Sequence, residues 1–394
     1  MRIKKVHWLA ICLLCVVMAF SGISCADEMP EQQPNGEEMQ QEIEWTEPDF
    51  INQTIYQPST IHSESRFIRN FPGMLIVSNQ DYGLLLHYVN KATGEQRIFC
   101  FDPLCDHDNC IARQVCLAGK IIYHPHDGNI YGYLGAGGRM GTEIYRIDME
   151  IQEAEVIWEG NGNKLDKQVF TYREYLYFAV YAVDGGVDIM RYDVETEQVE
   201  LLNPPQGRKF RYFRICGETI LVRFMDDPAY YLANDRLQIL KPIEDVAVSH
   251  YISEKTLISY VLGDQSVRGT ALGNIIGYQA YDFKTSSVKT FYESDVPMYP
   301  KGFDGEYVYY TEYEVKADNT VRELDTLYRV SCVDGHVDEV LEKGGQSIQE
   351  LHCFEGVLYY YRKQYTDGSA ELLYGTLRPD DNGFIAEDFE IEHP

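Results

Sequence analysis

Ile144-Tyr145-Arg146-Ile147-Asp148 and Met190-Arg191-Tyr192-Asp193 are two copies of one phrase, an alternation of apolar and polar residues closed by an acid. A period of two puts one side of a strand in a core and the other in water. The phrase returns as Leu86-His87-Tyr88-Val89-Asn90, Gln279-Ala280-Tyr281-Asp282, Leu327-Tyr328-Arg329-Val330-Ser331 and Leu373-Tyr374-Gly375-Thr376. Asp148 to Asp193 is 45 residues, Asp193 to Asp282 is 89, Ser331 lies 49 beyond, and Thr376 another 45. The 89-residue gap is two periods, with a degenerate copy at residues 230–233.

Each phrase leads into a polar turn, such as Lys91-Ala92-Thr93-Gly94-Glu95 or Lys284-Thr285-Ser286-Ser287, and then a further strand. Each is preceded by an apolar strand, at 74–77, 130–133, 176–181, 220–224, 257–261, 307–311 and 357–361. An inner strand before each of these completes four strands per unit. A period near 45 with four strands per unit is the signature of a β-propeller. The fold expected is therefore all-β, a single β-propeller with seven four-stranded blades, six or eight being the alternatives, over residues 56–394. Closing the ring removes the exposed sheet edges of a long all-β chain.

Composition agrees. The chain has 394 residues, 45% hydrophobic and 13% aromatic, with 31 Tyr and 3 Trp, enough to build a large core of strands. Against 34 Lys and Arg stand 62 Asp and Glu, a formal charge of −28. That excludes a nucleic-acid partner, because neutralising phosphates needs clustered Lys and Arg.

Residues 1–24 read as a secretory signal: Arg2, Lys4 and Lys5, then an uncharged apolar run at 8–20 and small residues. Gly22-Ile23-Ser24-Cys25 resembles the bacterial lipobox, with Gly22 where Leu is usual, which implies a lipid on Cys25. Cleavage after Ala26 is the other reading of the same small residues. Loss of the three cations takes the charge from −28 to −31. Residues 25–55 read as an acidic flexible tether, with nine acids and no Lys or Arg at 26–50. The address expected is extracytoplasmic, on the outer face of a bacterial cell membrane through the lipid anchor alone.

Asn90 to Asp148 is 58 residues, 13 more than the period, and the surplus falls on a cysteine-rich insertion at 100–116. Three readings of Cys100, Cys105, His107, Cys110 and Cys116 stand side by side. Disulfides suit an oxidising compartment, and four cysteines allow three pairings. Cys100, Cys105, His107 and Cys110 have the donor set of one structural zinc, although C-x4-C-x-H-x2-C is not a standard finger spacing. Free thiols packed under the loop are the third. Cys216, Cys332 and Cys353 sit singly on strands and read as small buried hydrophobes. His124 and His126 alternate on what reads as a strand and are taken as packing residues.

Cys100-Phe101-Asp102-Pro103-Leu104-Cys105-Asp106-His107-Asp108-Asn109-Cys110, together with the repeat, resembles an uncharacterised group of lipoproteins from anaerobic Gram-positive bacteria. Those proteins carry propellers similar to those of TolB and the low-density-lipoprotein-receptor family. The resemblance runs over the whole chain and implies a surface-anchored propeller without an established activity. Cys116 is an addition to that group's pattern.

With strands A to D antiparallel in each blade, the B–C turns and the D-to-next-A connections share one face. The long B–C connections, expected at 134–141, 262–273 and 314–325, and the cysteine insertion therefore elaborate a single face. Arg139, Arg268, Lys316 and Arg322 lie in those loops, and as cations in an acidic protein they are candidates to attract an anionic group. Trp158, the propeller's one Trp, lies on an expected strand and offers no stacking platform for sugars. No Gly-x-Ser-x-Gly, Walker or His-Glu-x-x-His motif occurs. The expected function is non-catalytic binding of a protein or small anionic ligand. The alternative is an extracytoplasmic enzyme for glycans or peptides, with acids and bases converging on the central channel.

Overall fold

The computed structural model describes residues 68–71, 73–79, 85–91, 95–100, 104–108, 110, 120–133, 141–148, 153–160, 163–183, 185–244, 246, 249–263, 275–317, 321–354, 356–366, 369–380 and 383–389. All of these belong to one compact unit, Phe50–Pro394.

Strands pair in consecutive antiparallel sets of four. The first is β1 (Ile68–Phe71), β2 (Met74–Asn79), β3 (Leu85–Asn90) and β4 (Gln96–Ile98). The second is β5 (Lys120–Tyr123), β6 (Ile130–Tyr133), β7 (Glu143–Asp148) and β8 (Glu153–Glu159). Then come β9 (Leu165–Tyr172), β10 (Tyr175–Tyr181), β11 (Val187–Asp193) and β12 (Gln198–Leu202). The next set is β13 (Phe210–Cys216), β14 (Thr219–Phe224), β15 (Asp227–Ala233) and β16 (Ile239–Ile243). β17 (Ser249–Ile252), β18 (Thr256–Leu262) and β19 (Ile275–Asp282) follow, completed by the first half of β20 (Ser287–Phe303). The second half of β20 opens the next set, with β21 (Tyr307–Val315), β22 (Val321–Ser331) and β23 (Val337–Leu341). The last is β24 (Ile348–Phe354), β25 (Val357–Thr366), β26 (Ser369–Asp380) and β27 (Gly383–Phe389). Every copy of the recurring phrase, including the degenerate one at 230–233, is the third strand of its set.

Burial grades across each set. Second strands have apolar middles buried on both faces, as in Leu176–Val180 and Ile220–Val222, because a sheet covered on both sides has no wet face. Fourth strands are mostly exposed, and β27 carries Glu387 and Asp388 along its outer side, charges that discourage edge-to-edge pairing. The third-to-fourth turns repeat one device. The Asp193 carboxylate accepts the N–H groups of Glu195 and Thr196, and Glu197 is left-handed at φ 57°. Asp282 does the same for Thr285, with Ser286 at φ 56°. The acid closing the phrase is thus a turn-former.

Successive sets are joined through their inner strands and through apolar seams. β1 lies by β5, β5 by β9 and β9 by β13, and β20 runs parallel to β24 with Phe303 opposite His352. One seam packs Phe71 and Leu86 with Ile121 and Ile130, and the next packs Tyr131 with Leu176 and Phe178. Phe170 and Tyr177 then meet Phe213, Leu221 and Tyr230 meet Ile252, and Ile258 and Tyr278 meet Phe303. Tyr309 and Leu327 pack with Leu351 and Leu358. A final seam brings Val89 of β3 among Phe354, Tyr359, Tyr361 and Tyr374 of the last set.

Two sequence expectations need correction. The expected 314–325 loop is shorter: β21 runs to Val315 and β22 starts at Val321, with Tyr313 opposite Glu323, Glu314 opposite Arg322 and Val315 opposite Val321. Alternation of β-formers and an opposed acid–base pair stabilise that hairpin extension. His124 and His126 lie after the end of β5, in the turn to β6, rather than alternating on a strand. His124 is buried beside the Asp127 carboxylate at 3.4 Å and edge-on to Tyr131, while exposed His126 reaches Glu195 of the next set at 2.9 Å. Both are packing residues.

Candidate metal centre

The link from β4 to β5 carries the cysteine insertion. The first-set ladder extends one residue into it, Phe99 N–H donating to Leu86 O at 2.8 Å, and Cys100 N–H then turns back onto Ile98 O at 2.8 Å. Cys100 therefore starts from a fixed backbone, and both Cys100 and Cys110 pack against the seam formed by Phe71, Phe99 and Ile121. Asp108 N–H donates to the Asp106 carboxylate at 3.1 Å, closing a tight turn around His107. His107 itself is left-handed, φ 61°, a backbone state uncommon for residues other than glycine.

That path brings the Sγ atoms of Cys100, Cys105 and Cys110 and a ring nitrogen of His107 within 4.8 Å of one another, all four side chains half-buried. His107 Nδ1 is 3.6 Å from Cys110 Sγ, and the His107 backbone N–H donates to Cys105 Sγ at 3.3 Å. With metal–sulfur and metal–nitrogen bonds of zinc length, a tetrahedron has an S···N edge of ~3.6 Å and S···S edges of ~3.8 Å. Three thiols and an imidazole are a donor set that zinc accepts. Cys116 lies outside the described residues.

The remaining thiols differ in kind. Cys216 and Cys353 are buried, and Cys216 Sγ contacts Ile252 O at 3.7 Å. Burial pushes the Cys332 thiol up to about 12 and the Cys353 thiol up to about 11. Cys216 and Cys353 are the buried strand residues expected of them, whereas Cys332 lies in the turn after β22 and is half-buried.

A second polar cluster lies on inner strands, and linear reading missed it. Lys301 on β20 is buried with its Nζ 2.5 Å from Glu323 Oε1, and it donates to Ile348 O at the same distance. Thr311 Oγ1 donates to the same Glu323 oxygen at 2.7 Å. On β24, buried His352 is 3.1 Å from Glu350, and Tyr299 lies within the electrostatic reach of both carboxylates. Lys301 and His352 stand in strands that carry other polar residues, so nothing in the sequence set them apart.

Of the four loop cations, Lys316 and Arg322 are exposed at the end of the β21–β22 hairpin, with Arg322 opposite Glu314. Arg139, Arg268 and Cys25 lie outside the described residues, as does everything expected of the signal and the tether. Among the described residues no helix is long and apolar enough to cross a membrane. Trp158 on β8 packs edge-on against Phe178 at 5.0 Å, a core contact.

The repeating four-stranded antiparallel sets define a β-propeller. A solved propeller domain shares the fold, and other solved structures are similar to lesser degrees. The β-propeller domain of the trilobed protease from Pyrococcus furiosus, described as having an open Velcro topology, is 16% identical with a TM-score of 0.50, covering 83% of this chain and 98% of that one. Acylaminoacyl peptidase from Pyrococcus horikoshii is 16% identical, TM-score 0.48, over 81% of this chain and 51% of that chain. This chain thus spans about half of the peptidase. TolB from Acinetobacter baumannii is 14% identical, TM-score 0.39, over 70% and 65% of the two chains. No family model and no curated protein matches the sequence.

Proposed function

We propose that the chain is a lipid-anchored, extracytoplasmic β-propeller of seven four-stranded blades that binds a protein or a small anionic ligand without catalysing its conversion. The observation that carries the reading is topological. The strand order is the same in every set, so second-to-third connections and links between sets fall at one end of the sheets. That end holds the cysteine insertion and the β21–β22 hairpin with Lys316 and Arg322. Cations gathered there in a chain of charge −28 would focus an anionic partner onto that face. The blade count draws on the seam between Val89 and the last set. The anchor draws on Cys25 and its flanking residues.

The test is an array of carboxylated and sulfated glycans and acidic peptides, probed with the full chain and with the variant carrying Ala at Arg139, Arg268, Lys316 and Arg322. At least a tenfold loss of binding is expected, and equal binding by both proteins overturns the reading. Radiolabelled palmitate should enter the chain in cells and be lost in Cys25→Ser. An extracytoplasmic enzyme is the second reading, supported by the inner-strand Glu350–His352 pair and by Glu323 nearby in the same electrostatic cluster. It predicts a glycan or peptide hydrolysis that Glu350→Gln abolishes.

A further inference from the structure

We propose that Cys100, Cys105, His107 and Cys110 bind one zinc ion in a closed, four-coordinate site that fastens the insertion to the junction between the first two sets. Four observations point the same way. The four donor atoms converge mutually, within 4.8 Å, rather than as one close pair. The Nδ1–Sγ separation of 3.6 Å matches the ~3.6 Å edge of a tetrahedral zinc site. The His107 N–H donates to Cys105 Sγ at 3.3 Å, a contact that holds this sulfur beside the imidazole. The left-handed His107 backbone is a cost that a bound ligand recovers by fixing the ring in place.

A disulfide accounts for less. Joining two of the three sulfurs would leave one thiol and the imidazole gathered around nothing. Three thiolates brought together in an acidic protein need a cation among them, and zinc turns the charge of the donor set from −3 to −1. All four positions are filled by protein atoms, so no open position remains for a substrate, and the site is structural. Its consequence is mechanical. Cys100 follows directly on the end of the β4 ladder while Cys110 lies further along the insertion, and both pack on the seam between the first and second sets. One ion would make this insertion a rigid feature of the elaborated end, whether or not that end binds a partner.

The full chain, purified in detergent without added chelator, should contain about one zinc per chain by mass spectrometry of the metal. Cys105→Ser and His107→Ala should each lower this to less than about a tenth, and Cys216→Ser should leave it unchanged. Cobalt(II) exchanged into the wild-type chain should give the visible absorption of a tetrahedral thiolate site, a readout independent of how the variants fold. Mapped disulfides among Cys100, Cys105 and Cys110, zinc retained in both variants, or cobalt without tetrahedral bands would overturn the proposal.

Discussion

Glu312 on β21 has a half-buried carboxyl that burial alone pushes above the ordinary glutamate range. The folded form therefore holds its proton more tightly than the unfolded chain, and stability falls as pH rises from the unfolded pKa through the folded one. Glu312→Gln should raise the melting temperature by about 1–2 °C at pH 7, and the gain should vanish below about pH 4. Melts from pH 4 to 8 check this, and a gain independent of pH would refute it. Lys301 and Glu323 make the opposite case. Burial lowers the Lys301 pKa while Glu323 pulls it back, so each charge depends on its partner. Lys301→Met should cost about 2–4 kcal/mol by stranding Glu323, and Lys301→Met with Glu323→Leu should recover most of it. Urea unfolding of the double-mutant cycle measures the coupling, and additive losses would exclude it. Neither residue declared itself in the sequence, since a buried ion pair is made by strands that only the fold brings together. The cysteine cluster was legible because its members are close in sequence. Its geometry was not, because it depends on the turn at Asp106–Asp108 and on the left-handed His107.

At the level of the strand, the period-two alternation located every second and third strand, and the acid at the end of the phrase announced its turn. The exceptions have a common cause. The β21–β22 extension contains Glu314 and Arg322, which read as loop residues. In the structure Glu314 and Arg322 face one another across a ladder, and local propensity yields to cross-strand pairing. His124 and His126 read as strand because alternation cannot be told from a short turn over three residues. Inner strands were the least legible, and Gly302 shows why. A Cβ there would lie 2.5 Å from Leu351 Cβ and 2.6 Å from its carbonyl oxygen, because β20 and β24 approach as parallel neighbours. Gly302→Ala should therefore destabilise by roughly 1–3 kcal/mol through overpacking. A wild-type denaturation midpoint in that variant would mean the two inner strands are further apart than this.

Across the whole molecule the seams are unequal. Several inside the chain are reinforced by polar links between sets, such as Arg146 to Glu197, Tyr172 to Glu218, Lys241 to Phe283 O and Lys289 to Val333 O. Among the described residues the first set is a separate four-stranded sheet and shares no ladder with the last. Among the described residues an apolar cluster joins them, Val89 packing with Phe354, Tyr359, Tyr361 and Tyr374, residues more than 260 positions apart in sequence. No local pattern could have revealed that contact. A seam without a shared ladder, which those flanking the second set also are, is a place for sub-global opening, in which one part of a fold loses protection before the rest. Val89→Ala removes about two methyl groups from it, worth roughly 1–2 kcal/mol. Hydrogen exchange at β2, β3, β25 and β26 should then accelerate by about 5–30-fold, while β10 and β14, in the seam around Phe213, keep wild-type protection. Uniform acceleration over all sets would mean that the propeller opens only as a whole and that this seam is no weaker than the others. Acceleration confined to β3 would mean that Val89 supports its own sheet and that the ring is closed by other contacts.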